Sequence, residues 1–422
     1  MEMSLVGAIK RKYEEEEEEE EASQVVVFVT SAPSKEGALA IPSVLTMNGA
    51  EITETGDREE LREMCGNVTE LDLTDNRISE WTQVCGILDC MPKVTFVNLS
   101  GNPLGGNSPR ASLSHLGGMT FDRVTHLVLN YTQIPWCAVL ELLAIFPCLR
   151  ELHLSLNGMT SLELTDVSPY DTLKQIYLNK NQLSDWSQVC ALGAKFPNME
   201  GMVLLGNPLG NPMGDPSNGA KAGDLSCLKC LTTLNISETQ IDDWQRLAKL
   251  GRAPNLTDLR LKHIPLLKTM EEKKARQMCI VYLPNVTRLN GSLVLEEEKV
   301  DAERAFIRRY LNCEHKPQRC LELEEKYGQL DPLAKVDLVP PSHARVTVEF
   351  MDSVSERKIS LKQTVGQLKK ELQSVAGLPS KSFRLYHLEP NVYEEMNELK
   401  LLRRNCFSIP IREGDVLKIL LK

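Results

Sequence analysis

Aliphatic residues recur along residues 68–264 in the pattern L-x-x-L-x-L-x-x-N, with Val, Ile or Met replacing some of the leucines. Eight copies are recognisable, such as VTELDLTDN from Val68 and LRELHLSLN from Leu149, and they begin 24 to 32 residues apart. This period and this pattern are typical of leucine-rich repeats. Weaker copies from Ile41 and Tyr282 predict a first and a closing repeat.

Each L-x-L core predicts a short β-strand whose leucines point inward, because successive side chains of a strand alternate between its two faces. The asparagine that follows predicts a buried amide that hydrogen-bonds backbone groups at the turn. One repeat cannot bury its own apolar face, so the copies are expected to stack into a curved solenoid. The predicted fold class is therefore α/β, with a leucine-rich-repeat solenoid over residues 41–295.

All four tryptophans occupy equivalent positions just after the strand in alternate repeats: Trp81, Trp136, Trp186 and Trp244. Each opens a stretch whose apolar residues lie three or four apart and which ends at a proline, as expected of an amphipathic helix on the outer face. Ser79, Ser184 and Asp242 are the predicted helix caps. We interpret the tryptophans as packing residues between turns of the solenoid, not as exposed binding residues.

The pattern changes after the repeats. Residues 296–343 contain charged helical stretches and end at a Pro-Pro pair, which predicts a capping helix and a linker. From residue 344, two alternating stretches, a helix ending at Gly377 and further strands including REGDVL resemble a ubiquitin-like β-grasp domain over residues 344–422. Because no Gly-Gly ends the chain, we expect binding to ubiquitin receptors and not covalent attachment. Tyr386 falls where the resemblance places the recognition patch.

The formal net charge is −10, and the eight glutamates Glu14–Glu21 account for most of it. The rest of the chain lacks the basic stripe that a nucleic-acid binder needs, so no nucleic-acid partner is predicted. We predict that residues 1–40 form an acidic segment without fixed structure. A sharper hypothesis is that the glutamate run mimics an acidic tail and competes for its binding partners.

Sequence features also bear on location and chemistry. No apolar run is long enough to span a bilayer, and the amino end lacks the order of a secretory signal, so no membrane partner is predicted and the twelve cysteines are expected to be reduced thiols. The lone CxxC at Cys227 and Cys230 lacks the second pair of a zinc site. Without a phosphate loop, nucleophile elbow or HExxH motif, we predict no enzyme, no catalytic residue, no metal and no cofactor.

The whole arrangement resembles the tubulin-folding cofactor E family over residues 40–422. The resemblance is carried by DNRISEW, NKNQLSDW, LRLKHIPLLKTM, ARQMCIVYLPNVTRLNGS, FIRRYL, KYGQLDPLAKVDL and IREGDVLKI. Cofactor E itself begins with a Gly-rich CAP-Gly module that recognises acidic tails, and no such run occurs here, so the chain is similar to the cofactor E-like branch. That likeness implies a cytoplasmic, cytoskeletal protein that binds an α- or β-tubulin subunit, dissociates tubulin heterodimers and promotes tubulin turnover.

Two other functions stay open. In one, the repeats hold a different client while the ubiquitin-like domain recruits the proteasome or another ubiquitin receptor. In the other, the repeats target a regulated enzyme such as a phosphatase, which would leave the last domain unexplained.

Residues between the strand leucines should face the concave surface of the solenoid. Several are apolar, which is unexpected for a purely solvated face, and the last strand adds two cations suited to an acidic partner such as tubulin. The predicted partner-binding residues are Phe96, Val128, His153, Tyr177, Val203, Leu205, Arg260 and Lys262.

Overall fold

The structure is a computed structural model that describes residues 3–13, 41–106, 118–164, 168–210, 225–332, 341–389 and 396–422. The chain divides into two compact units, residues 1–332 and residues 333–422, each with its own hydrophobic core. We call them the solenoid unit and the ubiquitin-like unit. The glutamate run 14–21 lies outside the described residues.

The strands of the solenoid unit are short. They are β1 (Met3–Ser4), β2 (Val44–Thr46), β3 (Ile52–Glu54), β4 (Glu70–Asp72), β5 (Phe96–Asn98), β6 (His126–Val128), β7 (Glu151–His153), β8 (Gln175–Tyr177), β9 (Gly201–Val203), β10 (Thr233–Asn235), β11 (Asp258–Arg260), β12 (Arg288–Leu289) and β13 (Ser292–Leu293). β2 and β4 to β13 form one sheet in chain order, with parallel pairing except between β12 and β13. The central residue of each three-residue strand in this sheet is buried. The repeat prediction is confirmed, including the first and closing copies.

The helices of the solenoid unit connect its strands or cover its ends. They are α1 (5–13), α2 (Arg58–Cys65), α3 (Trp81–Asp89), α4 (Trp136–Ile145), α5 (Trp186–Lys195), α6 (Trp244–Leu247), α7 (Glu272–Tyr282), α8 (Glu296–Arg309) and α9 (Gln318–Tyr327), with 3-10 turns at Leu225–Cys227, Ala248–Arg252 and Pro265–Leu267. Four helices begin at the four tryptophans, as predicted. Trp81, Trp136 and Trp186 are buried, and Trp244 is half-buried. Packing therefore accounts for the tryptophan positions.

The helix caps differ from the prediction by one residue. Ser79, Ser184 and Asp242 were the expected caps, but the capping position is the residue directly before each tryptophan. There Asp185 and Asp243 accept hydrogen bonds from backbone N–H groups of the first turn. The helix therefore starts at the tryptophan itself.

Buried asparagines close the turns after the strands, as predicted: Asn76, Asn102, Asn181 and Asn207. Asn181 shows the pattern. Its Oδ1 accepts from the backbone N–H of Met159 at 3.1 Å, and its Nδ2 donates to the carbonyls of Leu154 and Leu178, each at 3.0 Å. One side chain thus pairs backbone groups of two neighbouring repeats.

Residues 3–13 differ from the predicted unstructured segment 1–40. β1 pairs with β3, and α1 places Leu5 and Ile9 in the solenoid core with no exposed surface. The physical reason is that an open solenoid end exposes core, and the short apolar stretch at the amino end covers it.

The carboxyl end of the solenoid unit is covered by α8 and α9. Arg276 of α7 holds Glu298 of α8 through two bonds, Nε to Oε1 at 2.6 Å and Nη2 to Oε2 at 2.8 Å. The hydrogen bond from Arg276 lowers the pKa of Glu298 below its ordinary value. Glu303 of α8, nearly fully buried, accepts from Lys326 and Tyr327 of α9 at 2.7 and 2.6 Å. The first pair joins the cap to α7, and the bonds of Glu303 join the two cap helices to each other.

The ubiquitin-like unit is a five-stranded sheet packed against a helix. It contains β14 (His343–Phe350), β15 (Ser353–Ser360), α10 (Val365–Glu371), α11 (Gln373–Ala376), β16 (Phe383–Leu388), β17 (Asn397–Glu398), a 3-10 turn at Cys406–Ser408 and β18 (Val416–Leu421). The order is β15-β14-β18-β16-β17, with β14 and β18 parallel. α10 begins with a capping box at Thr364, and α11 ends at left-handed Gly377. No helix of the described ranges is long and apolar enough to cross a membrane.

Candidate protein-binding surface

In-register pairing arranges the first and third residues of the solenoid strands in columns on the face opposite the helices, which we call the concave face. One column holds the first residue of each strand from β4 to β12: Glu70, Phe96, His126, Glu151, Gln175, Gly201, Thr233, Asp258 and Arg288. The next column holds the third residue of each strand from β4 to β11: Asp72, Asn98, Val128, His153, Tyr177, Val203, Asn235 and Arg260. Leu205 and Lys262 lie two residues beyond their strands, at the edge of this face.

Four of these side chains form one connected group in the middle of the face, which we call the central cluster: His126, Glu151, His153 and Tyr177. The rings of His153 and Tyr177 are stacked, with centroids 4.1 Å apart and planes 8° apart. Glu151 lies 2.7 Å from Nε2 of His153 and 3.6 Å from Nε2 of His126. Burial and the neighbouring Glu151 carboxylate, which accepts a hydrogen bond from the Tyr177 hydroxyl, raise the pKa of Tyr177. The cluster holds an aromatic surface in a fixed orientation.

The predicted residues occupy the expected columns, but their accessibility differs. Phe96, His153, Tyr177 and Val203 are half-buried. Arg260 and Lys262 are exposed. Val128 is buried, with 7% of its surface exposed, so the expectation that it contributes exposed apolar surface is wrong. Val128 lies in the register between Asn98 and His153, both of which have longer side chains. Leu205 is half-buried at the edge.

The charge of the concave face changes sign along the sheet. Glu70 and Asp72 lie on the first full repeat, and Arg260 and Lys262 lie on the last. Within the described ranges, neither Arg260 nor Lys262 forms an ion pair. The basic end is therefore available to an acidic partner.

The predicted partner-binding residues do not include two members of the central cluster, Glu151 and His126. The repeat template does identify them as concave positions. Strand pairing places Glu151 between His126 and Gln175. In this position its carboxylate reaches both His126 and His153, a contact that would have identified the cluster.

The ubiquitin-like unit carries the remaining predicted residue, Tyr386, on β16. It is half-buried and pairs across the sheet with Glu398 of β17 and Lys418 of β18. Its hydroxyl hydrogen-bonds with Arg384. Tyr386 thus lies among charged neighbours on the face of the sheet away from α10.

The described residues show no cluster suited to a metal ion. No group of three or more His, Cys, Asp or Glu side chains there is arranged to hold a metal ion. The Cys227 thiol lies 2.8 Å from the carbonyl oxygen of Cys190 and acts as a packing group. What the arrangement offers is a rigid surface for binding another macromolecule.

Fold and surface define an interaction protein, in which leucine-rich repeats precede a ubiquitin-like domain. The sequence model of the ubiquitin-like domain family matches residues 343–403. The chain is 36% identical over 389 residues to the tubulin-specific chaperone cofactor E-like protein of Homo sapiens, an alignment that covers 91% of this chain and 88% of that protein. The chain therefore belongs to the tubulin-specific chaperone cofactor E-like family.

Two further similarities accompany this relationship. The tubulin-specific chaperone cofactor E-like protein of Caenorhabditis elegans is 28% identical over 363 residues, which covers 86% of this chain and 81% of that protein. Among solved structures, internalin C2 of Listeria monocytogenes aligns with 58% of this chain and 79% of its own, at 21% identity and a TM-score of 0.29.

Proposed function

We propose that this protein binds one tubulin subunit on its concave face, destabilises the tubulin heterodimer and so promotes tubulin turnover in the cytoplasm. The name of its relatives, tubulin-specific chaperone cofactor E-like protein, supports tubulin as the partner. The observation that carries the proposal is the central cluster, an aromatic pair fixed by Glu151 and flanked along the sheet by unpaired Arg260 and Lys262.

The proposed mechanism needs no covalent step and no cofactor. A binding protein separates two subunits only if it binds a free subunit more tightly than the dimer, because a ligand shifts an equilibrium by its differential affinity. Held aromatic side chains suit this task, since little side-chain entropy is lost when a partner packs on them. Exposed cations raise the rate of encounter with an acidic surface.

Tubulin pulldown with a double variant, Tyr177→Ala plus Arg260→Glu, tests the concave face. We expect at least about a tenfold loss of affinity, as for removal of an interface hot spot. The matched control is Phe407→Ala plus Arg403→Glu, which alters an exposed aromatic residue and an exposed arginine of the ubiquitin-like unit. The control should bind tubulin normally, and undiminished binding by the Tyr177 and Arg260 variant rejects the concave face.

A second candidate function is that of an adaptor, favoured by the match of residues 343–403 to the ubiquitin-like domain family. In this proposal the repeats bind a client and the ubiquitin-like unit recruits the proteasome or another ubiquitin receptor through the face around Tyr386. Tyr386→Ala should then abolish co-purification with proteasomes and leave client binding intact. Retained proteasome association in that variant argues against this use of Tyr386.

A further inference from the structure

A second candidate site lies at the carboxyl end of the solenoid unit, away from the concave columns. A cavity of about 410 Å³ opens where three elements meet: the 3-10 turn Ala248–Arg252, the end of α7 and the start of α9. We call it the basic pocket. Its volume falls in the range of pockets that hold small ligands or short peptide segments.

The pocket has an excess of positive charge. Its lining includes three cations, Lys249, Arg252 and Arg319, and a single carboxylate, Glu322. The positive charge of Arg319 is already compensated, because its guanidinium lies 2.9 Å from Glu322 and 3.5 Å from the buried Glu303. Neither Lys249 nor Arg252 forms an ion pair or side-chain hydrogen bond with any residue that the structure describes. Two positive charges at the pocket are therefore uncompensated.

Packing fixes one wall of the pocket. Tyr282 is buried, stacks on Trp244 with centroids 5.2 Å apart and meets the ring of Phe306 edge-on at 5.6 Å. Burial raises the pKa of Tyr282 to about 12. Arg319 is held as well, since its Nε donates to the carbonyl of Val281 at 2.9 Å. Ring packing and these bonds therefore hold Tyr282 and Arg319 in place.

The rim of the pocket carries neutral hydrogen-bond donors. Gln245, Asn285 and Gln318 line the opening and are exposed. Side-chain amides donate both to carboxylates and to backbone carbonyls. A ligand with several carboxylates on a peptide backbone could use both the cations and the amides, whereas a single phosphate would leave most of the volume unfilled.

We propose that the basic pocket binds a carboxylate-rich peptide segment of a partner protein. Lys249 and Arg252 would neutralise acidic side chains, and the rim amides would hold the peptide backbone. The site is separate from the central cluster and does not depend on the proposed binding of tubulin there.

Fluorescence anisotropy of a labelled octaglutamate peptide, titrated with the full-length protein, tests the proposal. We expect saturable binding that falls at least about tenfold in Lys249→Glu plus Arg252→Glu and by a smaller factor in Lys249→Gln plus Arg252→Gln. Arg252 is exposed and Lys249 is half-buried, and neither forms an ion pair or side-chain hydrogen bond with a described residue, so neither change removes such a bond. Tyr177→Ala, which alters the concave face, should bind the peptide like the wild type.

The matched control is Lys268→Glu plus Lys273→Glu, which makes the same change in net charge at exposed positions outside the pocket. Normal peptide binding by this control supports the pocket. An equal loss in the control would show diffuse charge attraction and overturn the proposal. Complete displacement of the peptide by millimolar inorganic phosphate would identify a small-anion site and overturn it too, as would no peptide binding at all.

Discussion

At the scale of single residues, the template asparagines explain why the repeats hold together. Each amide reaches backbone groups of its own turn and of the preceding repeat, which no apolar side chain could satisfy. This role follows from the sequence, because the asparagine recurs at a fixed distance from the strand leucines. The sequence can therefore identify a buried polar residue when a repeat supplies its context.

Replacing Asn181 by Ala should lower the free energy of unfolding of the solenoid unit by about 3 kcal/mol, because buried backbone groups lose their partners. The control is Asn255→Ala, which removes one exposed hydrogen bond and should cost no more than about 0.5 kcal/mol. Urea unfolding followed by tryptophan fluorescence measures both, since all four tryptophans lie in the solenoid unit. Equal stability of the two variants would contradict this role.

The candidate binding residues show where prediction from sequence stops. The repeat template predicts which side chains lie on the concave face, because successive side chains of a strand point to opposite faces. The template does not predict the exposed fraction of each side chain, which depends on the length of neighbouring side chains. The exposure of Val128 was therefore overestimated. Nor could the template reveal the contacts of Glu151, which arise from pairing between separate repeats.

At the scale of secondary-structure elements, helix identity was predictable and helix ends were less so. Periodic apolar residues and a closing proline located the four tryptophan helices. The cap positions were one residue off, since aspartates and serines are both common near these starts and only backbone geometry selects one. α1 was missed because its short apolar run has no repeat context and is stabilised by packing on the solenoid end.

The ion pair between α7 and α8 gives an element-scale prediction. Glu298→Gln should destabilise the solenoid unit by about 1 kcal/mol at neutral pH, because Arg276 loses a paired, partly exposed carboxylate. The folded-state pKa of Glu298 is lowered, so its contribution is present above the ordinary glutamate pKa of about 4.3 and is lost as pH falls through the lowered value. Urea unfolding across this acidic range should show the wild type and variant converging.

The control for this pH dependence is Glu271→Gln. Glu271 lies 3.9 Å from Lys274 in a well-exposed pair, so its removal should change stability little at any pH. A difference between wild type and Glu298→Gln that stays constant down to strongly acidic pH would argue against the ion pair as its cause.

At the scale of the whole molecule, the described residues form two hydrophobic cores that share no members. The ubiquitin-like core surrounds a buried polar pair, in which Nε2 of His387 lies 2.6 Å from Oδ2 of Asp415. The same oxygen accepts from the backbone N–H of Arg412 at 2.8 Å. The sequence pattern predicted this unit and its strands. It did not predict the pairing of His387 with Asp415, because the two residues are 28 positions apart on the chain.

Asp415→Ala should destabilise the ubiquitin-like unit by about 3 kcal/mol, because His387 loses its buried partner. Hydrogen exchange by mass spectrometry should show faster exchange in residues 343–422 and unchanged exchange in the repeats. Glu413→Ala, at an exposed position, serves as the control and should leave both units unchanged. Faster exchange throughout the repeats of Asp415→Ala would contradict separate cores.

The central claim is that binding on the concave face separates tubulin subunits. Size-exclusion chromatography of tubulin heterodimer incubated with the purified protein tests it most directly. The account predicts loss of the dimer peak and a new complex with one subunit, and an intact dimer peak with the Tyr177→Ala plus Arg260→Glu variant. A dimer peak unchanged by the wild-type protein, or lost equally with the variant, would contradict it.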